Sequence, residues 1–241
     1  MEGPSIVILR EQAQPFEGKP VLRVQGNSKI DQQRISNQHV MKFKSWGKHF
    51  LIGFSGFYLR VHFLMFGSYR INETKQATPR LSLQFDNGEI NLYSCGLKLV
   101  DEEMDKGYDW DVDVLSETWK PLKAKKALQK NASTMVCDAL LDQDIFAGVG
   151  NIIKNEVLYR IKVHPETKIE SLPPAKLNAL IREARNYSFD FYHWKKKFEL
   201  KKHWLIYNKK KCLSCKLPVH KIYSGNLKRR SFVCNACQRL Y

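Results

Sequence analysis

The sequence predicts an α+β protein: an N-terminal β-sandwich, then a helical domain that ends in a metal-held finger. Three observations carry that reading. Between Val21 and about Val100 short apolar stretches alternate with polar residues and are broken by turn signals. From Ala132 onward apolar residues recur at helical spacing, first Met135, Val136, Ala139 and Leu140, then Ile152, Ile153, Val157 and Leu158. The tail carries paired cysteines. A run of strands followed by a run of helices is the α+β signature. The acidic segment from Asp101 to Trp119 reads as the linker. The expected domains are therefore 1–118, 119–206 and 207–241.

Taken in order, Pro4 suits the first turn of a helix running on through Ile6, Val7 and Leu9. Met41-Phe43-Ser45 and Leu81-Leu83-Phe85 alternate with polar neighbours, and Asp86-Asn87-Gly88 marks a hairpin turn. Leu51 to Met65 is rich in Phe, Val and Leu, interrupted at Ser55-Gly56. Beyond the linker, Ser171 precedes Pro173 and Pro174 at the start of a long helix through Leu177, Leu180, Ile181 and Ala184.

Among the chain's 241 residues, 43% are hydrophobic, enough for a real core. No run approaches the ~18 apolar residues of a membrane span. The start Met-Glu-Gly-Pro lacks a charged-then-apolar signal segment. The expectation is a soluble, intracellular monomer, cytoplasmic in a bacterium or nuclear in a eukaryote. The formal net charge is +16. Acidic residues cluster between Asp101 and Glu117, whereas basic runs occupy Lys120 to Lys130, Lys195 to Lys202, Lys209 to Lys211 and Lys228 to Arg230. Such a balance points to a polyanionic partner, and to nucleic acid before an anionic membrane.

Cys212, Cys215, Cys234 and Cys237 form C-x2-C-x18-C-x2-C, the pattern of a closed, tetrahedral zinc ribbon. Disulfides are the alternative, but they do not suit an intracellular chain. Cys95 and Cys137 lie in apolar contexts and read as core. Between the helical runs, Asp142 to Asn151 includes Gly148 and Gly150, with Asn151 at the position of an N-cap. Glycines ahead of a helix N-terminus expose backbone N–H groups to an anion, phosphate most often. An ordinary capped helix hairpin would look the same.

The wording of LLDQDIFAGVGNIIKNEVLYR closely resembles the helix–two-turn–helix of the formamidopyrimidine-DNA glycosylase and endonuclease VIII family, which excises oxidised bases from DNA. The resemblance extends in order across the chain. It implies that Asn151 holds a phosphate beside the lesion, and that Arg229, five residues before the third finger cysteine, clamps the backbone around the extruded nucleotide. Trp46-Gly47-Lys48 resembles the family hairpin whose lysine reaches the active-site phosphate, which assigns that role to Lys48. Leu64, Met65 and Phe66 match the loop that fills the gap left by the flipped base; their other reading is strand core. Unstacking a base costs a few kcal/mol, and apolar wedges offset it.

Family members begin Met-Pro-Glu-Gly-Pro and use the Pro amine as nucleophile. This chain reads Met1-Glu2-Gly3-Pro4. Either the nucleophile is lost, or Met1 is retained before the bulky Glu2 and its α-amine takes the same register. An α-amine has an unperturbed pKa of about 7.7–8.0, so part of it is neutral near pH 7. It can form a Schiff base at C1′, with Glu2 as the proton shuttle. The resemblance thus implies a DNA glycosylase with AP-lyase activity and one structural zinc, acting on DNA with oxidised bases or abasic sites. The short Ser188 to Cys212 segment and Leu92-Tyr93-Ser94 favour the endonuclease VIII branch and oxidised pyrimidines. The rival is a non-enzymatic module that recognises damaged or abasic DNA.

Overall fold

The computed structural model describes residues 1–241 and divides them into two compact units, Met1–Tyr108 and Asp109–Tyr241. The first opens with helix α1 (Gly3–Ala13), Pro4 lying in its first turn, and buries Ile6, Leu9 and Ala13. Six antiparallel strands follow: β1 (Arg23–Gln25), β2 (Lys42–Trp46), β3 (His49–Phe54), β4 (Phe57–Ile71), β5 (Leu81–Phe85) and β6 (Gly88–Val100). Their order in the sheet is β1-β5-β6-β4-β3-β2. Leu81, Leu83 and Phe85 point inward as the alternation requires, while Met41 is exposed just outside β2. Asp86-Asn87 make a two-residue hairpin, with Phe85 opposite Gly88. Only glycine fits at position 88: its φ is +145°, and a Cβ there would meet Asn72 Oδ1 at 1.9 Å.

The long pair β4 and β6 runs in register from Tyr58 to Phe63, breaks, and resumes at Ser68. In the break Leu64 to Gly67 stand opposite Ser94 alone. Residues from both sides of it, Leu59, Val61 and Phe63 before and Leu81, Leu83, Ile90 and Leu92 beyond, line one core with α1. The unit is a sandwich made from one bent sheet, its register fixed by the buried face. Each large apolar side chain buried there contributes roughly 1.5–3 kcal/mol.

The second unit contains α2 (Pro121–Lys130), the short α3 (Val136–Ala139), α4 (Asn151–Arg160), α5 (Pro174–Lys196) and the hairpin β7 (His220–Ser224) and β8 (Arg229–Val233). α5 starts at Pro174, as its paired prolines imply, and buries Leu177, Leu180, Ile181, Ala184 and Tyr187 against Ile153, Val157 and Leu158 of α4. The division between units falls at Tyr108/Asp109, ahead of the 118/119 boundary read from composition. Val112, Val114 and Trp119 are buried, and Val114 N–H donates to Ala147 O at 3.2 Å while Ala147 N–H donates to Val112 O at 2.9 Å. Asp109 and Asp111 pair with Lys123, and Asp111 also with Lys120 at 2.9 Å, so half of the acidic segment belongs to the helical unit. No helix is long and apolar enough to cross a membrane.

Candidate active site

In the first unit the chemistry gathers where the N-terminus meets the β2–β3 turn. Gly47, at φ +51°, and Lys48 form that two-residue turn between Trp46 and His49. Met1 is half-buried against the sandwich core. Glu2 is extended (φ −106°, ψ 164°), its carbonyl accepting from Ser5 N–H at 2.9 Å, and its carboxylate does not cap the helix. His62 sits directly across from His49 on β4, the rings 5.2 Å apart. Burial, then the charges of Lys48, the chain's amino terminus and Arg60, hold His62 below its usual pKa. His49 is lowered to about 4 by burial first, then by His62, Arg60 and Lys48. The amine, Lys48 and two neutral imidazoles therefore share one positively biased corner, a setting suited to a phosphate. Neither histidine emerged from the sequence reading. The available signal was a His inserted between Val61 and Phe63 within the recognised wedge segment.

The wedge triplet occupies the break in β4. Leu64 is 54% exposed, Met65 73% and Phe66 90%, so they are not strand core. Phe66 has φ +66°, a conformation bulky residues avoid. Gly67 lets the loop fold tightly, since a Cβ there would come within 2.8 Å of Phe63 Cβ and Ser94 O.

In the second unit the turn before α4 is self-braced. Gln143 Nε2 donates to Leu141 O at 2.7 Å and Val149 O at 3.2 Å, and its Oε1 accepts from Gly148 N–H at 3.1 Å. The N-cap is Gly150, not Asn151 as its side-chain chemistry suggests. Gly150 takes the extended conformation, so Asn151 becomes the first helical residue. The Asn151 side-chain oxygen is buried without a hydrogen-bond partner, leaving part of that amide's polar capacity unused.

α4 also grips the finger hairpin. Lys154, fully buried, donates to Ser231 Oγ at 2.7 Å and Arg230 O at 3.1 Å. Asn155 accepts from Phe232 N–H at 2.7 Å and donates to Asn151 O at 2.7 Å and Arg230 O at 3.3 Å. At the hairpin tip, Asp138 accepts from Asn226 N–H at 2.7 Å. Asn151 and the exposed Arg229, at the start of β8, are thus held in one hydrogen-bonded frame.

The four finger cysteines place their sulfurs within 4.8 Å of one another, with Cys212–Cys237 at 3.8 Å and Cys215–Cys234 at 3.4 Å. Sulfurs bound at ~2.3 Å around a tetrahedral ion lie about 3.8 Å apart. The cluster fits a metal ion, and thiolates suit a soft one. The Tyr159 hydroxyl, 3.0 Å from Cys212 Sγ, can donate to that sulfur and so ties α4 to the cluster.

A bent sandwich and a helical unit with a four-cysteine ribbon define a two-part fold bearing anion-facing groups on each part. Residues 2–95 match the formamidopyrimidine-DNA glycosylase N-terminal domain, and residues 111–187 match that enzyme's H2TH domain. The chain belongs to the formamidopyrimidine-DNA glycosylase and endonuclease VIII family. It is 30% identical over 216 residues to Endonuclease 8-like 3 of Mus musculus, covering 86% of this chain and 36% of that protein. It is also 30% identical over 154 residues to the DNA-(apurinic or apyrimidinic site) lyase Nei2 of Mycolicibacterium smegmatis, covering 60% of each. The chain thus spans little more than a third of the mouse relative's length. A crystal structure of the Lactococcus lactis formamidopyrimidine DNA glycosylase bound to abasic-site DNA superposes with a TM-score of 0.87, at 19% identity and 99% and 100% coverage, which shows the shared fold.

Proposed function

We propose that this protein is a base-excision DNA glycosylase with AP-lyase activity, removing oxidised bases, pyrimidines before purines, and cutting at abasic sites. The observation that carries the reading is the convergence of the amino terminus and Lys48 on His62 in a chain of this family. The nucleophile is the α-amine of Met1. It attacks C1′ of the damaged nucleotide, and the base departs with the bonding pair. Ring opening gives a protonated imine, which draws electrons from C2′; loss of the C2′ proton then expels the 3′ phosphate. At an existing abasic site the amine condenses with the aldehyde and water is lost. Glu2 moves protons on the opened sugar, Lys48 holds the phosphate, and Leu64, Met65 and Phe66 fill the space left by the base. Asn151 and Arg229 hold the backbone. One zinc, bound by Cys212, Cys215, Cys234 and Cys237, orders the finger, and the protein works as a monomer in the compartment that holds the DNA. The family name of the mycobacterial relative supports the lyase step.

Borohydride should trap a covalent complex with an abasic oligonucleotide, with the adduct mapping to Met1. N-terminal sequencing establishes that Met1 is the mature first residue, which the proposal requires. Glu2→Gln should retain binding and slow strand scission about 10²-fold or more, the usual weight of general acid–base help. An adduct on a lysine, or trapping after acetylation of Met1, overturns the nucleophile. No trapping with a free amine favours the second reading, a binding module, which the absent Pro supports.

A further inference from the structure

The end of α5 carries an aromatic side chain that neither the core nor the proposed active site uses. Phe198 is 97% exposed, the highest among the large apolar residues, and its φ is +59°. Both properties are unfavourable for phenylalanine: the left-handed conformation is a genuine outlier for a bulky residue, and the ring gains nothing from burial. A backbone turn alone would favour Gly or Asn here. The chain shows the same pair of features at Phe66, the tip of the proposed wedge.

The surroundings are cationic. Lys196, Lys197, Lys201 and Lys202 are all exposed. Lys202 is paired with Glu199 at 3.0 Å, and Lys196 donates to the Tyr192 hydroxyl at 3.1 Å. The ring's base is rigid, because Phe198 N–H donates to Lys195 O at 3.0 Å and Glu199 N–H to Trp194 O at 2.8 Å, while Trp194 stacks on His203 at 4.1 Å. Arg160, the last residue of α4, lies 5.8 Å from the Trp194 ring. Asn151 is at the other end of α4, about 14 Å away at ~1.5 Å per residue, so the two features lie at opposite ends of one helix.

We propose that Phe198 is a stacking platform for an unpaired base, with Lys197 and Lys201 receiving the flanking phosphates: a single-strand nucleic-acid site additional to Asn151 and Arg229. A base within a duplex is already stacked on both faces, so a protruding phenyl ring can engage only an unpaired or terminal base. Rigid aromatic rings beside cations are the general means of binding single strands without reading sequence.

The test uses the full-length protein and fluorescein-labelled 15-mers of thymidine, of uridine and of a closed hairpin duplex. Phe198→Gly removes the ring and suits the backbone. It should weaken binding of the thymidine strand about five- to hundred-fold, the effect of losing one stacked base, with little change for the hairpin. Its salt slope should stay the same and its melting temperature should hold or rise. Phe198→Trp should keep or tighten binding, and Lys197→Ala with Lys201→Ala should flatten the slope by about two units. Equal losses for thymidine and uridine fit stacking. Loss confined to uridine, or undiminished thymidine affinity in Phe198→Gly, overturns the proposal. Borohydride trapping by the parent protein is scored separately: its failure removes the lyase reading and leaves the Phe198 comparison intact.

Discussion

His49 is an imidazole whose neighbours allow it no charge. Burial and the nearby cations lower its pKa to about 4, against roughly 6.5 in the unfolded chain. The sign follows from linkage. Between pH 6.5 and 4 the unfolded state binds the proton and the native state does not, so stability is lost as pH falls through that window. The depression corresponds to at most about 3 kcal/mol, less where solvent reaches the ring. Melting temperature measured from pH 7 to 4 should fall, and His49→Leu should flatten that fall. An equally steep fall in the variant would assign the acid sensitivity to other groups. His49 shows what a single residue hides: its type was visible, but the burial and the facing His62 exist only once β3 and β4 pair. Asn151 shows the opposite case. Its chemistry suggests a cap, yet Gly150 takes the extended conformation and moves it one place into the helix.

At the scale of elements, α4 is a hub rather than a core helix with one functional end. Asn151 begins it, Lys154 and Asn155 hold β8, Glu156 accepts from Leu205, Ile206 and Tyr207 N–H groups at 2.8–3.0 Å, and Tyr159 reaches Cys212. The apolar spacing of α4 was readable in the sequence, but its buried polar face was not, because Lys-Asn-Glu in a helix normally reads as a solvated surface. Asn155→Ala would leave buried Phe232 N–H without its acceptor, so a loss of about 1–3 kcal/mol in denaturant unfolding is expected. A stability within about 0.5 kcal/mol of the parent would mean that water replaces the amide. On DNA the variant should lose affinity with no change in salt dependence, since it carries no charge. Arg229→Ala should instead flatten the salt slope by about one unit, equally for plain and lesion-bearing DNA. An unaltered slope in Arg229→Ala would remove that residue from the phosphate contacts.

Across the whole molecule, the order of sandwich, helices and finger was legible because the apolar period changes from two to 3.6 and because the cysteine spacing admits few alternatives. The boundary was not, since Val112 and Val114 lie inside an acidic run whose charge masks their burial. The finger is the part whose stability depends least on apolar packing. Its own buried cluster holds Tyr159, Ile206 and Phe232 beside two of the cysteines, and Tyr159 belongs to α4. So few apolar side chains cannot offset the conformational entropy of ordering the whole tail. A bound zinc contributes on the order of 10–16 kcal/mol in isolated fingers. Chelation of the reduced protein should therefore unfold β7 and β8 and free Arg229, lowering DNA affinity by at least as much as Arg229→Ala does. The sandwich has its own core, so its unfolding transition should persist after chelation. Because Lys154 and Asn155 have their partners on β8, the helical unit should lose part of its stability along with the finger. Elemental analysis finding no zinc in the purified, reduced protein, or a chelated form with unchanged hairpin structure and DNA affinity, would show that the hydrogen bonds from α4 alone suffice to hold the finger.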